Sequence, residues 1–247
     1  MPKVVIEEQE GIGLLRLNNG VTNAISPELV NDLEAALQIV ERECRGMVFA
    51  GGGKFFSMGL DLPTLIPLKR DAFSDFFDRF NRALLHLFTL PIPTCCAIAG
   101  HAVAGGTVLA LGCDYRFAAP EKKLGLNEIH LGVPVPYLAD MLLRQIAGDR
   151  AATEMTYGGN FTAASDAARF GLVDALFPAE TVEAGAVEKV SGLASHSPAA
   201  FRETKKNRVE TIRGLYAQHH QAKNEAFVDC WFSDPVRPLL EAAARKF

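Results

Sequence analysis

Short apolar runs alternate with segments of helical periodicity up to about residue 178 of this chain. The runs at 11–17, 46–50 and 94–99 have the length and composition of buried strands. Segments with an apolar stripe at helical spacing follow the first two of them. This alternation predicts an α/β fold built from helical crossovers, and it disfavours a β-sandwich.

Local signals place the individual elements. A strand pair is predicted at 3–8 and 11–17, around a turn at Gly11. Ser26 and Pro27 provide the N-cap and the first position of a helix. Further strands are predicted at 46–50, 94–99, 115–118 and 173–177, and helices at 71–90, 107–111, 137–147, 149–157 and from Thr162.

The end of the chain differs from the rest. After a predicted linker at 195–198, helices are expected at 198–213, 215–232 and 235–246. The sequence therefore predicts a core at 1–195 and a helical C-terminal region at 196–247.

Composition excludes several classes of function. Of 247 residues, 49% are hydrophobic and 22% charged, and the net charge of −4 offers no basic surface for nucleic acid. The five cysteines show no CxxC spacing, so we predict neither a zinc site nor a disulfide framework. The chain has no run of about 20 apolar residues, and its first residues lack an apolar signal region. We therefore expect a cytoplasmic protein that does not bind membranes.

Two glycine loops follow buried strands. The first, at 51–62, lacks the residues of a P-loop, a dinucleotide fingerprint or a nucleophile elbow. Gly59 could let backbone amides near Leu60 face a ligand carbonyl, with Lys54 near the mouth. A plain surface turn and a solvated lysine are the alternatives.

The second loop is Ala104, Gly105 and Gly106, before a short helical stretch. Free N–H groups at a helix start and the absence of side chains suit a substrate oxygen. One donor from each loop would form an oxyanion hole, and each such donor contributes about 2.7–4 kcal/mol. Tight packing that requires small residues is the alternative.

Glu128 is a lone acid in the apolar and amide stretch GLNEIHLGV. Burial would favour its neutral form and raise its basicity, as a proton-transfer group needs. A carboxylate that caps a turn or faces solvent is the alternative interpretation.

Four stretches, in this order and at these separations, resemble the crotonase superfamily of enoyl-CoA hydratases and isomerases. They are FSMGLDL (56–62), AGHAVAGG (99–106), LALGCDYRFAA (109–119) and GLNEIHLGV (125–133). The GLDL, CDYR and GLNE forms are most similar to the Δ3,Δ2-enoyl-CoA isomerases. The resemblance covers nearly the full chain and implies a spiral of ββα turns with a helical trimerisation region.

The resemblance also implies a site. The oxyanion-hole amides would be those of Leu60 and Gly105, and Glu128 would be the catalytic base. Coenzyme A would be part of an acyl-CoA thioester substrate, with no tightly bound cofactor, and the assembly would be a homotrimer or a dimer of trimers. The residues implied in substrate binding are Met58, Gly59, Leu60, Asp61, Leu62 and Gly105.

Two departures from the hydratase pattern favour isomerisation. Val108 stands where the hydratases of this family have a second glutamate, and 133–137 replaces their glycine-rich stretch. Adding water requires two carboxylates, whereas moving a double bond requires one. We therefore expect conversion of 3-enoyl-CoA to trans-2-enoyl-CoA in fatty-acid metabolism such as β-oxidation. Decarboxylation, thioester hydrolysis, weak hydration and a noncatalytic acyl-CoA-binding role are the alternatives.

The remaining polar residues near these motifs are predicted to be structural. Asp114 and Arg116 would form a local pair that ties a strand to a helix. His101 would fix a loop, and His130 would face away from the site. Most phenylalanines of 73–80 would pack in the core, although some could line an acyl channel.

Overall fold

A computed structural model describes residues 1–245 as two β-sheets with surrounding helices. Lys246 and Phe247 lie outside the described residues, and so does the last position of the helix predicted at 235–246. The predicted α/β architecture is confirmed.

The larger sheet has the strand order β1-β2-β3-β5-β7-β10. Its first two strands are antiparallel and the others pair in parallel, with Leu14 opposite Val48 and Val48 opposite Cys95. These strands are β1 (Val4–Gln9), β2 (Ile12–Leu17), β3 (Gly46–Ala50), β5 (Thr94–Ile98), β7 (Tyr115–Ala118) and β10 (Ala175–Leu176).

The smaller sheet has the order β4-β6-β8-β9, and it brings the two glycine loops together. The sequence did not predict it, because strands of two or three residues are too short to show a periodic pattern. Its strands are β4 (Phe55–Ser57), β6 (His101–Val103), β8 (Lys123–Gly125) and β9 (Thr162–Ala163).

Nine α-helices complete the described part of the chain. They are α1 (Pro27–Glu43), α2 (Leu62–Leu65), α3 (Arg70–Thr89), α4 (Gly105–Leu111), α5 (Tyr137–Gly158), α6 (Ala164–Ala167), α7 (Val182–Ala194), α8 (Pro198–Trp231) and α9 (Arg237–Ala244). Helix α5 contains one non-helical residue, Gly148, at the boundary of the two helices predicted there. Short 3₁₀ turns lie at Glu128–Leu131 and Ala168–Phe170.

The larger sheet is buried on both faces because successive side chains of a strand point to opposite sides. In β3, Met47 and Phe49 belong to the main core cluster with residues of α1 and α3. Val48 and Ala50 belong to a second cluster with α7. The continuous apolar run at 46–50 is therefore that of a central parallel strand.

Helix α8 packs along α3 through aromatic side chains. Phe73 stacks on Trp231 with ring centroids 4.2 Å apart, and Phe77 stacks on Phe227 at 4.0 Å. These contacts confirm that most phenylalanines of α3 are core residues. The break predicted at residue 214 is wrong, since α8 runs unbroken for 34 residues. A glycine costs a helix only about 1 kcal/mol relative to alanine, and the buried neighbours on α8 offset that cost.

The predicted local pair of Asp114 and Arg116 is also wrong. The Asp114 carboxylate accepts hydrogen bonds from the Thr94 N–H and from Lys205 Nζ, both at 2.9 Å. The Arg116 guanidinium pairs with Asp174 at 3.0 Å. Both residues are structural, but each joins elements that are distant in sequence.

Candidate active site

The first glycine loop leaves the Leu60 amide without an acceptor. Gly59 has a φ of 93°, a conformation that favours glycine. Ile25 N–H donates to Gly59 O at 2.8 Å, and Asp61 N–H donates to Ile25 O at 3.0 Å. The Leu60 N–H lies between these bonds and has no acceptor among residues 1–245.

The second glycine loop starts helix α4 with an unusual backbone. Ala104 has a φ of 46° and a ψ of −117°, a strained conformation for a residue with a side chain. Gly105 is the first residue of the helix, so its N–H has no partner within the helix. A Cβ on Gly106 would lie 2.3 Å from Ser57 O, so this position requires glycine.

The two loops are in direct contact. A Cβ built on Gly59 would lie 2.9 Å from Gly105 N, and one built on Gly105 would lie 3.4 Å from Leu60 N. The separation of these loops in sequence hides this proximity, which the pairing of β4 with β6 creates. Two free N–H donors are therefore neighbours, as an oxyanion hole requires.

Thr107 connects α4 to the strands on either side. Its hydroxyl donates to Ala102 O at 2.7 Å and accepts from Gly125 N–H at 2.9 Å. Ala104 N–H donates to Gly125 O at 2.9 Å. Strand β8, which leads to Glu128, is thus fixed relative to the second glycine loop.

Glu128 begins the 3₁₀ turn after β8 and is only 6% exposed. Among the described residues its Oε2 atom has no hydrogen-bond partner. Burial raises the pKa of this carboxyl to about 7 because water no longer solvates the charged form. A carboxyl with this pKa can both accept and return a proton near neutral pH.

A cavity of about 660 Å³ joins these groups. Leu60 and Gly105 line it together with Glu128, the one carboxylate among its described lining residues. The cavity volume suits a drug-sized or cofactor-sized ligand. The surrounding wall is mostly apolar and includes Phe55, Met58, Leu62, Phe80, Val103, Val108, Leu131, Val133, Pro136, Phe161, Phe227, Trp231 and Leu239.

Val108 lies on α4, one helical turn beyond Gly105, and it is fully buried. Its side chain lines the same cavity as Glu128. The position that would hold a second acid is therefore occupied by an apolar group facing the same space.

The sequence-predicted substrate strip is only partly in the cavity wall. Met58, Leu60 and Leu62 line the cavity, as does Gly105. Gly59 supplies the turn, and the Asp61 carboxylate caps α2 by accepting from Thr64 N–H at 3.2 Å. Lys54 is exposed, with its Nζ 5.7 Å from the centre of the Phe55 ring.

The two histidines near the sequence motifs, His101 and His130, differ in their position relative to the cavity. His101 Nδ1 accepts from Lys123 N–H at 3.0 Å, so this histidine holds a strand, β8, where the sequence predicted that it would fix a loop. His130 lines the cavity, and the prediction that it faces away is wrong. In a 3₁₀ turn of three residues per turn, alternation along the chain does not predict which face a side chain occupies.

Sequence reasoning missed the side of the cavity formed by the C-terminal helices. Phe227 and Trp231 of α8 line it, and so do Leu239, Ala242 and Ala243 of α9. These positions are about 100 residues or more from Glu128 along the chain and have ordinary helical spacing, so no local pattern indicates their role.

Residues 1–245 contain no group of three or more His, Cys, Asp or Glu side chains arranged to hold a metal ion. Within the same range, every helix is too short or too polar to cross a membrane.

The fold and the site define a mixed α/β protein whose apolar cavity combines one buried acid with paired amide donors. Its sequence matches the family described as enoyl-CoA hydratase/isomerase over residues 7–238. The 2,3-dehydroadipyl-CoA hydratase of Escherichia coli (strain K12) is 31% identical over 211 residues, which cover 83% of this chain and 81% of that protein.

Human proteins extend the comparison. The mitochondrial enoyl-CoA delta isomerase 1 of Homo sapiens is 26% identical over 246 residues, covering 97% of this chain and 82% of that protein. The crystal structure of human mitochondrial delta3-delta2-enoyl-CoA isomerase superposes with a TM-score of 0.94 at 25% identity, covering 99% of this chain and 97% of that chain.

The chain belongs to the enoyl-CoA hydratase/isomerase family, also called the crotonase family. It is an enzyme of that family, acting on enoyl-CoA. The resemblance seen in the sequence motifs is confirmed.

Proposed function

We propose that this enzyme is a Δ3,Δ2-enoyl-CoA isomerase, which converts 3-enoyl-CoA to trans-2-enoyl-CoA. One observation carries the proposal: Glu128 is the one carboxylate among the described cavity-lining residues. The similarity to human mitochondrial enoyl-CoA isomerase, in sequence and in structure, supports the same choice.

The reaction begins with removal of a proton from C2 of the 3-enoyl thioester by the Glu128 carboxylate. The electrons of the C–H bond move into a dienolate, whose negative charge rests on the thioester oxygen. The N–H groups of Leu60 and Gly105 stabilise that oxygen. Each donor of this kind contributes about 2.7–4 kcal/mol to the transition state.

The reaction ends when the protonated Glu128 returns its proton to C4. The double bond then lies between C2 and C3, in conjugation with the thioester. No atom is gained or lost, so one acid that alternates between its two protonation states suffices. The apolar wall at Val108 excludes a second proton-transfer group from that position.

The strip contributed by the first loop completes the proposed site. We assign Met58, Gly59, Leu60, Asp61 and Leu62, with Gly105, to binding the thioester end of the acyl-CoA. For Gly59 and Asp61 this contact would be made through the backbone, because the cavity lining does not include them.

Hydration of a 2-enoyl-CoA is the second candidate. The 31% identity to a 2,3-dehydroadipyl-CoA hydratase favours it. A hydratase must hold a water molecule and split it between two proton-transfer groups. The Val108 side chain can neither accept nor donate a proton, so it cannot be the second group. We therefore expect hydration at most as a weak side reaction.

Product analysis separates the two candidates. The enzyme is incubated with 3-hexenoyl-CoA and, separately, with trans-2-hexenoyl-CoA, and the products are identified by mass spectrometry and chromatography. An isomerase converts the first substrate to the conjugated thioester with no change in mass. Addition of one water molecule to trans-2-hexenoyl-CoA as the main reaction would contradict the proposal, as would loss of CO2 or release of free acid.

The proposal includes assembly as a trimer or a pair of trimers in the cytoplasm, with the helical C-terminal region contributing to the subunit contacts and the cavity-facing side of α9 left free. Native mass spectrometry tests the assembly directly. A monomer at micromolar concentration would contradict it.

A further inference from the structure

The cavity around Glu128 has one closed wall and one open wall. Phe80 of α3 and Phe227 and Trp231 of α8 close one side, and each is at most 2% exposed. On the side of α9, Leu239 is 44% exposed and Ala242 is also exposed. A long ligand that meets the aromatic wall can therefore continue along α9.

Helix α9 presents one face to this space. Leu239, Ala242 and Ala243 are separated by three and four residues, so they share a face of the helix. Leu240 points away from the cavity into the core and is fully buried. Two of the three cavity-facing positions carry only a methyl group, which leaves room where a larger side chain would fill the cavity.

The position of α9 is fixed relative to Glu128. A Cβ on Gly132, which ends the Glu128 turn, would lie 2.7 Å from Val236 Cγ2 and 3.3 Å from Leu239 Cδ1. On its other side, Arg237 Nη1 donates to Ile66 O at 2.9 Å. The alanine face therefore lies at a defined position relative to the acid.

The size of the cavity favours a long chain. A methylene group occupies about as much space as a water molecule, roughly 30 Å³. At that volume a six-carbon acyl chain would fill about a quarter of the 660 Å³, whereas a twelve-carbon chain would fill about half. The pantetheine end of coenzyme A would take part of the remainder.

We propose that this enzyme prefers long-chain 3-enoyl-CoA substrates, of about ten carbons or more, because the alanine face of α9 at Ala242 and Ala243 keeps the cavity open to them. This inference rests on the proposed acyl-CoA site. It adds a substrate class and the residues that select it.

Binding of saturated thioesters tests the preference without requiring isomerisation. Calorimetric titration compares hexanoyl-, decanoyl- and dodecanoyl-CoA. Each added buried methylene contributes about fourfold in affinity. Burial of only three of the six added methylenes should therefore make dodecanoyl-CoA bind about 60-fold more tightly than hexanoyl-CoA. Equal affinities, or tighter binding of hexanoyl-CoA, would overturn the inference.

Substitution of the alanine face tests its role. In Ala243→Phe and Ala242→Phe the added ring occupies the open side, and the affinity ratio of dodecanoyl- to hexanoyl-CoA should fall at least tenfold. Ala200→Phe, at an exposed position of α8 outside the cavity lining, is the matched control and should keep the wild-type ratio.

Circular dichroism checks that each of the three alanine-to-phenylalanine variants folds. If Ala243→Phe does not fold, the exposed Ala242 position carries the test. An unchanged ratio in a folded cavity variant would refute the role of α9. Failure of the isomerase proposal would show instead as absent turnover of 3-hexenoyl- and 3-dodecenoyl-CoA with the binding preference intact.

Discussion

At the scale of a single residue, Glu128 combines features that proteins usually avoid. A buried carboxylate with an oxygen, Oε2, that has no hydrogen-bond partner among the described residues costs free energy, and the cost appears as a pKa raised by burial to about 7. Proteins keep an acid in such an unfavourable position mainly at functional sites. The raised pKa gives the enzyme a base that is half ionised near neutral pH.

The pH dependence of turnover follows from this pKa. Only the ionised form of Glu128 can take the C2 proton, so kcat/KM for 3-hexenoyl-CoA should rise with pH and level off above about 7. At pH 6 it should be about tenfold below the plateau. Steady-state rates between pH 5 and 9 measure this, and a flat profile across that range would argue against Glu128 as the base.

Stability should change in the opposite direction. The folded-state pKa of Glu128 is raised from 4.5 to about 7, so between these values the folded state binds the proton more tightly than the unfolded state. The stabilising contribution of the protonated acid is present below pH 4.5 and is lost as pH rises through 7. Glu128→Gln removes the ionisation, so at pH 8 it should stabilise the protein by about 1–3 kcal/mol.

Urea unfolding of Glu128→Gln at pH 5 and pH 8 checks this expectation. The difference between variant and wild type should be larger at pH 8. A variant that is destabilised equally at both pH values would mean that the folded-state pKa is not raised.

At the scale of elements, the site depends on how closely α4 approaches β4. Gly106→Ala would place a methyl group against Ser57 O, where the contact would be 2.3 Å. The backbone must shift to relieve it, at a cost of about 1–3 kcal/mol, and the Gly105 amide moves with it. We expect thermal denaturation to show lower stability, and assays to show a larger loss in kcat than in substrate affinity.

Gly53→Ala is the matched control, because a Cβ at Gly53 has no atom within 4 Å in the described structure. It should retain the wild-type stability and activity. Equal effects of the two substitutions would show that the contact of α4 with β4 does not position the site.

Long elements with a clear capping signal could be predicted from the sequence, whereas very short strands could not. Helix α1 was predicted from Ser26, Pro27 and its apolar stripe, and Ser26 indeed caps it. The strands of the smaller sheet have two or three residues, and their existence depends on tertiary pairing. The proximity of Leu60 to Gly105 depends on that sheet. The residues alone suggested one donor from each loop, but no pattern in them showed that the two loops touch.

Some site features also required the folded chain. That Glu128 is buried was expected from its apolar neighbours, but the open wall at Ala242 and Ala243 was not. The contribution of α9 arises from packing of Val236 against Gly132, two positions about 100 residues apart. A contact of this kind leaves no periodic pattern in the sequence.

At the scale of the whole molecule, the helical C-terminal region forms part of the core. Trp231 stacks on Phe73, and Phe227 stacks on Phe77. Removal of residues 196–247 would expose these aromatic surfaces of α3 and open the cavity. Although the sequence predicts a boundary at 195, we expect a chain of residues 1–195 to aggregate or remain partly unfolded.

Circular dichroism and thermal unfolding of residues 1–195 test this expectation against the full chain, which should unfold in one cooperative transition. A truncated chain with its own sharp transition would show that the helical region is an appendage.

Glu128→Gln shows whether one carboxylate moves the proton. The amide keeps the shape of the side chain but cannot accept a proton, so isomerisation of 3-hexenoyl-CoA and 3-decenoyl-CoA should fall by about 10²–10⁴-fold. Binding of the saturated thioesters should be retained, and Glu203→Gln, at an exposed position of α8, should match wild type. Wild-type turnover in Glu128→Gln would show that Glu128 is not the base.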